Sequence, residues 1–185
     1  MAEVVVVSGA PGAGKSTLAA PLARALGVPL LAKDMIKESL FDSLGHVGLD
    51  ERESSRKLGA AAMDLLWRLA ADCPSVVIEA NFRSGSAFER ERLLGLSERP
   101  VEVFCRIPME VARTRFEHRA ATAERHPVHV ARSLAPEVWE EFREPFGLGP
   151  MIEVDTIGPV DLDTLVVEVR AALAAEAGPN RDGRP

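Results

Sequence analysis

The sequence predicts a three-layer α/β/α sandwich around a five-stranded parallel sheet, and three observations predict it. Short β-branched or apolar runs alternate with longer segments of helical period. The runs are almost continuously hydrophobic, as strands covered on both faces of a parallel sheet must be. The 185 residues suit one domain rather than two, and a domain of that size buries roughly 70% of its extended surface without a disulfide or metal staple.

The elements follow in order. VVVV (Val4–Val7) is the first strand, and a helix over about Lys15–Leu26 comes after a glycine-rich turn. VPLLA (Val28–Ala32) is the second strand, stopping abruptly at Lys33-Asp34. Two helices fill the segment from about 34 to 74, the clearer one carrying Leu58, Ala61, Ala62, Leu65, Leu66 and Leu69 as one apolar stripe. SVVIEA (Ser75–Ala80), VEVFC (Val101–Cys105) and MIEVD (Met151–Asp155) are strands three to five. An arginine-bearing helical hairpin within about 109–135 precedes the fifth strand. The last helix, about Asp161 to Ala175, begins at an acidic cap. Residues 1–177 form the domain, and the Gly/Pro-rich segment 178–185 reads as a frayed tail.

Right-handed crossovers bring the carboxyl ends of all five strands to one edge, where such folds bind ligands. Ser8-Gly9, Lys33-Asp34 and Glu79 to Asn81 all fall there. GAPGAGKST, Gly9 to Thr17, matches G-x-x-x-x-G-K-[ST] between a strand and a helix, the context the phosphate-loop motif requires. Gly9, Gly12 and Gly14, with Ala13 between, let backbone N–H groups curl around a phosphate. The start of the helix at Lys15, Ser16 and Thr17 adds its dipole and free donors. Lys15 is placed to reach the β- and γ-phosphates, and the Ser16 hydroxyl to bind Mg²⁺. The nucleotide is expected to be ATP, with Mg²⁺.

A phosphate loop alone does not separate a motor, a switch and a kinase. A kinase must hold an acceptor hydroxyl in line with the γ-phosphate and accept its proton. Asp34 is placed for that task, although Asp is also a favoured helix N-cap. Lys37, one turn on, is either a solvated lysine or a substrate contact. Glu79 stands near where a Walker B Asp would support Mg²⁺. It can hold a metal-bound water, grip the acceptor together with Asn81 and Arg83, or simply pair with Arg83. Arg115 and Arg119 share a helix face, and Arg125 follows ahead of His126-Pro127. Guanidinium groups of this kind stabilise charge spread over transferring phosphoryl oxygens. Arg113 is expected on the solvated face. His126 and His129 form an H-x-x-H without a third ligand nearby, a weak metal signal.

Together GAPGAGKST, the Asp of KDMIK, the strand end VVIEANFR and the arginine helix resemble the small P-loop kinases related to zeta toxins and chloramphenicol phosphotransferase. Polynucleotide 5′-hydroxyl kinases are more distant relatives. The resemblance spans about Val4 to Thr156. It implies a P-loop NTPase fold of the nucleoside-kinase kind with a helical lid. It further implies that Asp34 is the general base, Glu79 an acceptor-binding carboxylate, Arg119 and Arg125 lid arginines, and that adenine lies near Asp155–Gly158. The strand end departs from the Ile-Glu-Gly-Thr-x-Arg pattern by carrying Ala80-Asn81, so the acceptor is not carried over.

The expected activity is therefore Mg-ATP-dependent phosphoryl transfer to a hydroxyl of a small molecule. The alternatives are a polynucleotide 5′-hydroxyl kinase and a nucleotide-dependent switch. A net charge of −6 counts against a dedicated nucleic-acid binder. No apolar stretch is long enough to span a membrane, MAEVVVV lacks the basic start of a signal peptide, and Cys73 and Cys105 lack metal or disulfide spacing. These features predict a cytoplasmic protein.

Overall fold

The computed structural model describes residues 2–122 and 125–175. The tail 178–185 and Glu124 lie outside the described residues. The expected sheet is present: β1 (Glu3–Ser8), β2 (Leu30–Ala32), β3 (Ser75–Glu79), β4 (Val101–Arg106) and β5 (Met151–Asp155) pair in parallel in the order β2-β3-β1-β4-β5. β1 is central, with Val4 opposite Val76 and Val5 opposite Val101. Its alternate valines serve two cores. Val5 and Val7 pack with Leu18 and Leu22 of α1 (Lys15–Leu26) and Leu165 and Val169 of α7 (Leu162–Ala174). Val4 and Val6 pack with Leu66, Trp67 and Ala70 of α3 (Glu51–Ala71). β2 is only three residues long, because Val28-Pro29 lie outside the ladder except for the Pro29 carbonyl, which accepts from Val77 N–H.

α2 (Lys33–Leu44) and α3 are the two helices expected between β2 and β3. The buried face of α3 differs from the expected stripe. Leu58, Ala62, Leu66, Trp67 and Ala70 are buried, whereas Ala61 and Leu69 face solvent. The helix is rolled so that the Trp67 ring meets Phe82, centroids 5.6 Å apart, and burying an indole outweighs burying an alanine. Two further helices carry no apolar stripe in the sequence: α4 (Ala87–Leu96), whose only buried residue is Leu93, and the five-residue α6 (Pro136–Glu140). α5 (Met109–Ala121) is the arginine helix, but among the described residues no second helix forms a hairpin with it, and residues 125 to 135 run on as turns, bends and irregular chain. α7 starts where expected, with the Asp161 carboxylate accepting from Thr164 N–H at 3.1 Å.

The connection after β3 crosses over β1 to β4. Strand order therefore reverses around β1, and the crevice opens at its carboxyl end. A buried carboxyl stiffens that end: Glu102 on β4 accepts from Ser8 Oγ at 2.6 Å, Phe146 N–H at 3.1 Å and Gly147 N–H at 3.2 Å. Among the described residues no helix is long and apolar enough to cross a membrane.

Candidate active site

The loop from Gly9 to Gly14 turns on three glycines with positive φ: 130° at Gly9, 86° at Gly12 and 82° at Gly14. Two of them also admit close neighbours. A Cβ at Gly9 would lie 2.7 Å from the Cys105 carbonyl oxygen, and one at Gly12 would collide with the backbone of Ala112 on α5. Gly14 is the N-cap of α1 and makes no side-chain cap, so the first N–H groups of that helix remain available. Lys15 folds back under the loop, donating to Gly9 O at 2.9 Å and Ala10 O at 2.8 Å. Burial pushes its ammonium below the ordinary value, although Glu79 and Asp34 pull it up. Such a cradle of N–H groups with a dehydrated lysine in it suits a polyphosphate.

Ser16 Oγ donates to Glu79 Oε2 at 3.2 Å. Glu79 therefore turns to the phosphate loop and not to Arg83, which pairs with Glu141 at 2.8 Å. Burial raises the Glu79 carboxyl above its usual range, and Lys15 works against that shift. A hydroxyl and a carboxylate side by side are hard oxygen donors, a set that fits Mg²⁺.

Asp34 does not cap its helix. The N-cap of α2 is Ala32, without any side-chain cap bond, and Asp34 lies within the first turn. Its carboxylate, 43% exposed, accepts from Lys33 Nζ at 2.9 Å. Burial pushes Asp34 up, but the Lys33 charge and hydrogen bond, with His129 and Lys37 behind them, hold it below the usual carboxylate value. Lys37 is buried, not solvated, and its Nζ donates to Ser55 Oγ at 2.8 Å.

The arginines divide. Arg113 pairs with Glu117 on the exposed face, as expected. Arg115 reaches across to the chain after β5, donating to Thr156 O and Ile157 O at 2.9 Å each. Arg119 is close enough for its charge to lower Lys15 and Arg125. Arg125 donates to Ala131 O at 2.6 Å and lies over the Phe116 ring, 5.2 Å from its centroid. Burial and then the Arg119 charge push its guanidinium down, with Asp34 pulling it up. Lys15, Ser16, Glu79, Asp34, Lys37, Arg119 and Arg125 are thus one electrostatic cluster. Arg83 is outside it, and Asn81 is exposed.

Three participants were missed. Lys33 is the direct partner of Asp34. His129 Nε2 donates to Glu38 Oε1 at 2.8 Å, and His126 Nε2 to Asp42 Oδ1 at 3.0 Å. The signal was present as spacing: Asp34, Glu38 and Asp42 recur every four residues along α2, opposite an H-x-x-H. Among the described residues no group of three potential metal ligands occurs.

The AAA domain family matches residues 4–145. The chain belongs to the AAA domain family. With a phosphate loop and similarity to kinases along nearly its whole length, it is a small P-loop kinase. It is 34% identical to a candidate kinase from Chloroflexus aurantiacus, covering 92% of this chain and 98% of that one, with a TM-score of 0.77. A gluconokinase from Sinorhizobium meliloti is 25% identical, with 95% and 93% covered and a TM-score of 0.55. Shikimate kinase from Acinetobacter baumannii, in complex with shikimate, shares the fold at 18% identity, 97% of each chain and a TM-score of 0.56. No curated protein matches the sequence.

Proposed function

We propose that this kinase transfers the γ-phosphoryl group of ATP to a hydroxyl of a small-molecule acceptor, with Asp34 as general base. The observation that carries the reading is the Asp34 carboxylate. It is uncapped, kept ionised by Lys33 and coupled electrostatically to Lys15 of the phosphate loop. A first-turn carboxylate released from capping has an oxygen available for the acceptor hydroxyl. As the acceptor oxygen bonds to the γ-phosphorus, its proton passes to Asp34. The bond from that phosphorus to the bridging oxygen breaks, and ADP leaves with the electron pair.

The loop N–H groups from Gly9 to Gly14, Ala13 included, with those of Lys15, Ser16 and Thr17, hold the phosphates. Lys15 exchanges its two carbonyl partners for phosphate oxygens. Ser16 and Glu79 would hold Mg²⁺, which would supply neutralisation of phosphate charge. Arg115, its guanidinium fixed by two carbonyls of the chain after β5, offers a flat face for the base to stack on. Arg119 and Arg125 stabilise the charge on the transferring group, and Lys37 contacts the acceptor. Arg83 and Asn81 take no part in this reading. Two free cysteines, Cys73 and Cys105, suit a reducing cytoplasm.

The test is transfer from γ-labelled ATP into a cell extract divided into small metabolites and RNA. Label in the small-molecule fraction is the expected result. Label at RNA 5′ ends would replace this reading with a polynucleotide kinase. ATP binding without label in either fraction would favour a nucleotide-dependent switch.

A further inference from the structure

Lys37 narrows the chemistry of the acceptor. It follows Asp34 by one turn of α2 and is only 6% exposed. An ammonium has three donors, and the partner found for Lys37 is a neutral one, Ser55 Oγ on α3. Among the described residues no carboxylate pairs with it. Of the two nearby on its own helix, Asp34 is bonded by Lys33 and Glu38 by His129. A buried charge is ordinarily paired, because an unpaired one loses its hydration without compensation.

The surroundings add to the surplus of positive charge. Lys33 shares the helix, and Arg125 acts on Lys37 from the segment after α5. Opposite them α3 carries Gly59, where an added Cβ would lie 3.7 Å from Lys37 Cε and 4.0 Å from Lys33 Nζ. At this position α3 puts no side chain against the two lysines. The Asp34 charge acts on Lys15 of the phosphate loop as well as on Lys37. The phosphate loop and Lys15 already provide for the nucleotide's phosphates.

We propose that the acceptor is itself an anion. It is an alcohol bearing a carboxylate or phosphate group that Lys33, Lys37 and the Ser55 hydroxyl receive while its hydroxyl meets Asp34. This rests on the phosphotransferase reading and assigns the substrate class of that same site. Phosphoryl transfer then yields a product with one further phosphoester and leaves the anchoring group unchanged.

The metabolite fraction of a cell extract is passed over an anion-exchange resin at neutral pH, and bound and unbound pools are each offered with γ-labelled ATP. The expected acceptor is in the bound pool. Phosphatase treatment of that pool beforehand removes the acceptor if its anchor is a phosphate ester and spares it if the anchor is a carboxylate. An acceptor found in the unbound pool would overturn the inference and leave the kinase reading standing. Label in neither pool would overturn both.

With the acceptor in hand, Lys37→Gln should raise its KM about 10-fold or more, as loss of a hydrogen bond to a charged group implies, while the KM for ATP stays put. Burial and the Lys33 charge bring Lys37 down to about 8, with Asp34 pulling the other way, Arg125 adding to the fall and Glu38 opposing it. His129, also close by, feels the Lys37 charge. The wild-type kcat/KM for the acceptor should therefore fall as pH rises through that value, and Lys37→Gln should be flat there. An unchanged acceptor KM in Lys37→Gln, or a wild-type profile that is level through that range, would contradict the assignment.

Discussion

Gly12 joins the phosphate loop to the arginine helix, since its α-carbon passes the backbone of Ala112 at a distance only a glycine allows. Gly12→Ala combines a left-handed backbone costing about 1–2 kcal/mol with a collision that displaces α5. Thermal unfolding should shift down, and nucleotide titration should show weakened binding. An alanine variant with native affinity would mean that α5 is not held against the loop. Arg119→Ala and Arg125→Ala should lower kcat by roughly 10-fold or more with little change in the KM for ATP, since transition-state charge is what they are proposed to meet. Steady-state kinetics on each variant checks this. Equal losses in ATP binding and turnover would make them ground-state ligands instead. The phosphate loop was legible in the sequence because its chemistry is contiguous, nine residues carrying the whole turn. Asp34 was legible only in part. Its residue type and position suggested both cap and base, and it takes the structure to exclude the cap, with Ala32 in that position and Lys33 on the carboxylate. Glu79 likewise needed the third dimension, which sets Ser16 beside it and takes Arg83 away to Glu141.

α2 and the chain after α5 are fastened by two histidine–carboxylate pairs, His126 to Asp42 and His129 to Glu38. Phe41 packs beside the first pair, its ring edge-on to His126 at 5.5 Å. The same chain carries Arg125, so this clasp sets where that guanidinium lies relative to Asp34. Burial lowers His129 below its ordinary value of 6.5, Asp34 and Glu38 partly restoring it, so the fold favours the neutral ring. A lowered histidine is neutral in both folded and unfolded chains above about 6.5. Below that the unfolded chain takes up the proton first, and stability is lost as pH falls through the folded value. The urea midpoint should therefore drop from neutrality to about pH 5, and by less in His129→Gln. An identical drop in the two proteins would remove His129 from the account. None of this clasp was readable from hydropathy. The pairs join residues more than 80 apart, and in place of a third metal ligand the H-x-x-H finds carboxylate hydrogen-bond partners on α2. The roll of α3 was hidden for a related reason: Leu, Ala and Trp all fit an apolar stripe, and Phe82 decides which side turns inward.

Across the molecule, the five parallel strands and their layers were the most legible features, because continuous apolar runs admit few arrangements other than a covered parallel sheet; the order β2-β3-β1-β4-β5 came only from the structure. Alternate valines of β1 serve opposite cores, which ties the phosphate loop's rigidity to both layers. Glu102 extends that tie to the chain before β5, and no motif marked it. Glu102→Leu leaves Ser8 Oγ and the Phe146 and Gly147 N–H groups without their partner, and should cost about 2–4 kcal/mol of stability, measurable by chemical denaturation. Full stability in that variant would show that the buried carboxyl is not what fixes the loop end of β1. The account as a whole stands on Asp34 as the group that takes the acceptor's proton. The most direct test is to compare wild type with Asp34→Asn for nucleotide affinity and for phosphoryl transfer to the labelled acceptor. The amide should bind ATP as the wild type does and transfer about 10²-fold more slowly or worse. Equal turnover in the two proteins would contradict the central claim.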